Sequence, residues 1–211
     1  MTQASIASVN GVPHGAPLDK DKRNWIVATC AVGGIGVAAV AVPLVSSLQP
    51  SEKAKATGAA VEVDISGIRP GEKLTIEWRG KPVWIVKRTP EQLAALPKND
   101  PLLADPKSQR KLPDWTPEYA RNENRSIKPE TLVVVGICPH LGCSPSEKFK
   151  TGAQPSLPDD WAGGFLCPCH GSTFDLAGRV YKNKPSPDNL EVPPHRYLSD
   201  TRLLIGEDKK A

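Results

Sequence analysis

From Trp25 to Leu48 the chain carries no charged side chain and consists largely of Val, Ala, Ile, Leu and Gly. About 20 such residues suffice to cross a bilayer as a helix, so the run predicts one transmembrane helix over 24–48. Lys20, Lys22 and Arg23 precede it and Trp25 sits where an interfacial aromatic belongs, which places a tail, 1–23, on the cytoplasmic side. A cleaved signal peptide is the competing reading. Its apolar core is shorter, roughly 7–15 residues, whereas here apolar residues continue past Ala38, Ala39 and Ala41. Gly33, Gly34 and Gly36 read as a small face for helix packing, and Cys30 as one more apolar residue of the span. The segment 49–58 then lacks any large apolar side chain and reads as a flexible tether, either a plain spacer or a hinge around Ala54 to Ala56.

The remaining head, 59–211, has the period of strands. Val61, Val63 and Ile65 alternate with Glu62 and Asp64; Leu74, Ile76 and Trp78 follow the Pro70–Gly71 turn; Gly80 separates them from Val83 to Val86. This predicts an antiparallel meander. Thr89 as N-cap, Pro90 at the first helical position and Glu91 in the first turn predict a short helix to Leu96. The long polar stretch from Ala95 to Lys128 lacks periodicity and reads as an insertion packed on the sheet. A β-branched strand from Thr131 to Ile137 runs into one cysteine segment, Phe165 and Leu166 lead into another, Leu176 to Gly178 forms a turn, and Val192 to Leu204 supplies closing strands. The fold class is mainly β.

Composition narrows the function. With 22 prolines, 17 glycines and three phenylalanines the head is made of turns and short strands, not helices. A net charge of +4, not gathered into an arginine-rich stripe, gives no support to nucleic-acid binding. Trp78, Trp84 and Trp161 read as packing residues, His14 as an exposed tail residue, His195 as structural, and Asp159–Asp160 as a turn.

Four of the five cysteines fall in two tight pairs, and two of the four histidines sit among them. The first loop reads CPHLGC, Cys138 to Cys143, and the second CPCHGS, Cys167 to Ser172. Taken as ligands, they offer C-x-H and C-x-x-H, leaving Cys143 and Cys169, one per loop, for a cross-link. Thiolate and imidazole together suit iron, and replacing two thiolates by neutral imidazoles raises a cluster's potential. A cross-link of this kind persists only in an oxidising compartment. A structural zinc site is the bland alternative, but zinc cysteines are usually spaced C-x-x-C, and neither loop has that spacing.

CPHLGC with CPCHGS, followed by FDLAGR and PSPDNLEVPPHRY, resembles the Rieske family, and the anchor-plus-tether arrangement resembles the iron–sulfur subunit of the cytochrome bc1 complex. The resemblance implies an antiparallel β-sandwich head with a cluster-binding subdomain over about 135–190 and one [2Fe–2S] cluster per chain. It implies that Cys138 and Cys167 bind one iron, that His140 and His170 bind the other, and that Cys143 pairs with Cys169. Ser172 and Phe174 take the positions that tune the cluster, Pro185 and Pro187 bound a covering loop, and Leu141 and Gly142 lie on the docking surface.

The function so implied is electron transfer from a membrane quinol, ubiquinol on this resemblance, to a c-type cytochrome. His170, with His140 beside it, meets the quinol and accepts its proton. The partners are cytochrome b, cytochrome c1 and the lipid bilayer. Lys22-Arg23-Asn24-Trp25 resembles a twin-arginine signal with lysine in the first arginine's place, which implies a single-pass protein of a bacterial inner membrane with a periplasmic head. The alternatives are a b6f-like or arsenite-oxidase Rieske subunit, a Rieske ferredoxin or oxygenase component, and a zinc-stabilised membrane-tethered binding module.

Overall fold

The computed structural model describes residues 19–51, 58–110 and 115–208. His14 and Ala54 to Ala56, with most of the tail and tether read from the sequence, lie outside the described residues.

Helix α1 spans Lys20–Ser47 and begins five residues before the apolar run, because the Asp19 carboxylate caps it by accepting the N–H groups of Asp21 and Lys22 at 3.1 and 3.3 Å. At 1.5 Å per residue it is about 42 Å long, enough to cross a bilayer. None of its residues is buried, and its Val, Ile and Leu side chains stand outward on every side, as a lipid-facing helix requires. Cys30 is among them, without a disulfide.

The described residues of the head form nine strands: β1 (Val61–Asp64), β2 (Lys73–Trp78), β3 (Lys81–Lys87), β4 (Thr131–Val135), β5 (Ser146–Lys148), β6 (Gly164–Leu166), β7 (Thr173–Asp175), β8 (His195–Ser199) and β9 (Arg202–Ile205). They form three antiparallel sheets of three strands, ordered β1-β9-β8, β2-β3-β4 and β5-β6-β7. The meander expected from the first apolar segments holds for β2 and β3 but not for β1. That strand leaves its sequence neighbour and pairs with β9, Val61 facing Ile205. Alternation shows which face of a strand is buried and is silent on its partner.

The β2-β3-β4 sheet sits between two cores, which explains why VWIV in β3 and LVVV in β4 read as continuous apolar runs. Val83, Ile85, Val133 and Val135 join Val63, Leu203 and Ile205 in one core. Their neighbours Trp84, Val86, Leu132 and Val134 join Phe165, Phe174, Val180 and Val192 in the other.

Helix α2 (Pro90–Asn99) starts as expected at Thr89, whose hydroxyl accepts the Gln92 N–H while the Gln92 side chain accepts the Thr89 N–H. It ends three residues beyond Leu96. The described residues of the aperiodic stretch after it, 100–110 and 115–128, are ordered by docking. Two 3-10 turns, Asp100–Leu102 and Glu118–Ala120, flank a segment in which Ala104 donates to the Val180 carbonyl at 2.9 Å and Leu102 accepts from Lys182 at 2.8 Å.

Arginines hold this layer in place. Arg125, wholly buried, donates to the carbonyls of Ala177, Gly178 and Leu190 and to the Thr116 hydroxyl. Arg88 reaches the carbonyls of Asn124, Leu176 and Pro129. Burial draws the Arg125 guanidinium down to about 10, so it remains a cation at neutral pH and its five N–H donors need such acceptors.

Candidate metal centre

Both cysteine loops leave the same end of the β5-β6-β7 sheet. The second is the connection between β6 and β7, running from Cys167 to Ser172 directly after the Leu166–Thr173 pair. The first descends from β4 and enters β5, whose Ser146 faces Leu166. Three residues toward the tip from Ser146 is Cys143, and three residues toward the tip from Leu166 is Cys169. The ladder register therefore brings these two opposite each other, and the structure joins them in a disulfide.

The loops close in the same way. Cys138 N–H donates to the Cys143 carbonyl at 2.7 Å, and Gly142 N–H returns to the Cys138 carbonyl at 3.1 Å. Cys167 N–H donates to the Ser172 carbonyl at 2.7 Å, and Gly171 N–H to the Cys167 carbonyl at 3.0 Å. The fifth residue of each loop must turn through the left-handed region, with φ of 82° at Gly142 and 73° at Gly171, which a glycine adopts without strain.

Each loop thus presents one thiol inward and one imidazole outward. Cys138 and Cys167 are free and buried, and their thiols interact; the Sγ atoms of Cys143, Cys167 and Cys169 lie within 4.8 Å of one another. Two of those three are spent in the disulfide, so Cys167 is the available donor. The His140 and His170 rings are 4.8 Å apart and nearly perpendicular. His170 is exposed and His140 half-buried. Burial pushes the Cys138 thiol up and Cys167 adds to the rise, while the His140 N–H pulls it down. A cation placed between these thiols would relieve that cost, since coordination deprotonates a thiol outright. Two buried sulfur donors beside two imidazoles nearer the surface fit a two-iron cluster with unlike irons.

The other residues singled out from the sequence take these places. Ser172 and Phe174 are fully buried, and Phe174 shares the core of Cys138 and Cys167. Leu141 is 70% exposed at the tip, and Gly142 is exposed beside it. Pro185 and Pro187 point outward, while Ser186 between them is buried, its N–H donating to Ser172 Oγ at 2.9 Å. Sequence reasoning missed Ser186; a small polar residue between two prolines was the available signal. Trp78, Trp84 and Trp161 are buried packing residues, and His195 is buried with its Nδ1 2.8 Å from the Pro193 carbonyl. A groove of about 630 Å³ bordered by Trp161, Tyr181 and Lys184 contains neither loop's cysteines nor histidines.

Comparison with known proteins agrees with this geometry. Residues 119–194 match the Rieske [2Fe-2S] domain, and residues 23–51 match a family described as "Ubiquitinol-cytochrome C reductase Fe-S subunit TAT signal". The chain is 55% identical over 188 residues to the ubiquinol-cytochrome c reductase iron-sulfur subunit of Allochromatium vinosum, covering 89% of each chain. It is 41% identical over 190 residues to the subunit of the same name from Blastochloris viridis, covering 88% of this chain and 92% of that one. Fold and site define a Rieske iron–sulfur protein, whose cofactor is a [2Fe–2S] cluster. Within that class, the chain belongs to the family of ubiquinol-cytochrome c reductase iron–sulfur subunits, which are bacterial in the relatives named here.

Proposed function

We propose that this chain takes electrons singly from a membrane quinol and delivers them to a c-type cytochrome, as the iron–sulfur subunit of a cytochrome bc1 complex. Cys138 and Cys167 hold one iron, and His140 and His170 the other. The observation that carries this reading is the pairing of two identically closed loops, tied by Cys143–Cys169, with thiols inside and imidazoles outside. A [2Fe–2S] cluster held there supplies a one-electron acceptor of raised potential.

The chain's own residues do the rest. The exposed His170 imidazole receives the quinol hydroxyl as a hydrogen bond and takes its proton on the ring nitrogen not committed to iron, with His140 set back beside it. Leu141 and Gly142 give the tip an apolar, low-relief surface against cytochrome b and then cytochrome c1. Ser172, buried and accepting from the Ser186 N–H, would offer its hydroxyl proton to the loops. Helix α1 anchors the chain in a bacterial inner membrane with the head on the periplasmic side, where a disulfide survives. The match over residues 23–51 supports export through a twin-arginine route.

Electron paramagnetic resonance of the reduced, purified protein tests the reading. A rhombic signal of low average g with two irons per chain is expected, and Cys138→Ser or His170→Ala should abolish it. A silent spectrum with stoichiometric zinc would replace the redox reading with a tethered binding module. For the proton step, the midpoint potential should fall with pH in the alkaline range; a pH-independent potential would remove it.

A further inference from the structure

We propose that Asn189, which no ligand or docking role reaches, is a positioning residue that sets the cluster's potential by holding the covering segment 185–187 against Ser172. The inference rests on the cluster assignment above. Asn189 is buried and its side chain is fully engaged: Oδ1 accepts the Val180 N–H at 2.8 Å, and Nδ2 donates to the Asp105 carbonyl at 2.9 Å and to Ser108 Oγ at 3.0 Å. Its carbonyl accepts from Trp115 Nε1 at 2.8 Å. One residue therefore ties the covering segment both to Val180, beyond β7, and to Asp105, Ser108 and Trp115.

Between this node and the cluster loops only three residues intervene. The Ser186 hydroxyl donates to the Asp188 carbonyl at 3.0 Å, stiffening the turn, and the Ser186 N–H meets Ser172 Oγ. That N–H occupies a lone pair of the Ser172 oxygen, so the hydroxyl proton must turn elsewhere. Ser172 is wholly buried at the end of the second loop, so its hydroxyl proton has no solvent to turn to. A donor aimed at cluster sulfur favours the reduced, more negative state and so raises the potential. Asn189 acts at one remove: it keeps Ser186 where it can orient Ser172. The aperiodic stretch after α2 thereby acquires a redox role, because Asp105 and Ser108 belong to it.

The test uses the purified holoprotein, titrated by electron paramagnetic resonance, with iron content measured on each sample. Asn189→Leu, close in size but without hydrogen bonds, should lower the midpoint potential and shift the line shape at unchanged iron content. Combined with Ser172→Ala it should lower the potential no further than Ser172→Ala alone, since both act on one hydroxyl. A wild-type potential in the iron-replete variant, or shifts that add in the double variant, would overturn the proposal. Should Asn189→Leu fail to fold, Asn189→Asp keeps the Val180 bond and removes the donors; it should lower the potential by a smaller step, and no shift would overturn the proposal equally. Absence of the rhombic signal in the wild-type protein itself would instead mark failure of the cluster reading.

Discussion

Cys143 and Cys169 stand opposite each other on the continuation of the β5–β6 ladder, so their disulfide acts as a covalent rung closing the end of the sheet. The sequence separation is 26 residues, and closing a loop of that size restricts the unfolded chain by about 3.5 kcal/mol on the chain-entropy account. Replacing both cysteines by alanine should lower unfolding stability by roughly this amount. The loops should also part, and iron should be lost at denaturant concentrations where the wild-type head keeps it. Urea titration followed by circular dichroism and by cluster absorbance checks both; coincident midpoints for the two proteins would show that the ladder alone suffices.

Asp175 and Arg179 form an ion pair with both side chains at 0% exposure, at the turn that follows the second loop. Asp175 Oδ1 also accepts the N–H groups of Ala177 and Arg179, each at 2.9 Å. Arg179→Met should cost about 3–5 kcal/mol, because it strands a buried carboxylate. The double variant Asp175→Asn/Arg179→Met should recover part of the loss. Equal losses in the single and double variants would argue against a charge-based origin.

Phe174 packs in the same core as the Cys138 and Cys167 sulfurs and offers them no hydrogen bond. Phe174→Tyr should raise the midpoint potential, since a hydroxyl donor on ligand sulfur withdraws electron density. A redox titration giving an unchanged or lower value would show that the added hydroxyl does not reach the sulfur.

Burial holds the His195 imidazole below its ordinary range, against a smaller opposing effect of the Pro193 carbonyl. The unfolded chain then binds a proton more readily than the folded one. Stability is complete above the unfolded value of about 6.5 and is lost as pH falls from there through the depressed folded value. Thermal melts between pH 5 and 8 should show a steeper acid-side decline for the wild type than for His195→Gln. Parallel curves would assign the decline to other groups.

Much of the site was legible because its chemistry is local. Six residues in two short loops, flanked by β-branched or aromatic strand residues, declare the cross-link the structure forms and the elements that carry it. The α2 cap was legible for the same reason, since Thr89, Pro90 and Gln92 act within one turn. What escaped notice acts across the chain. Arg125 satisfies the Leu190 carbonyl 65 residues away, and Asn189 reaches Asp105 across 84 residues; no periodicity announces a side chain whose partners are backbone groups. The β1–β9 pairing escaped similarly, and the described residues after α2 looked structureless because their order comes from docking instead of from their own pattern.

The division of donors between the two loops dictates an order of events. On the proposed ligand set each loop contributes one sulfur and one nitrogen, so neither completes the set of either iron. Ser146 must already face Leu166 before the two thiols can come together at all. Folding of this small sheet is therefore a precondition of maturation, and a newly made chain has nothing to offer a cluster until its second loop, emerging last, has been zipped alongside the first.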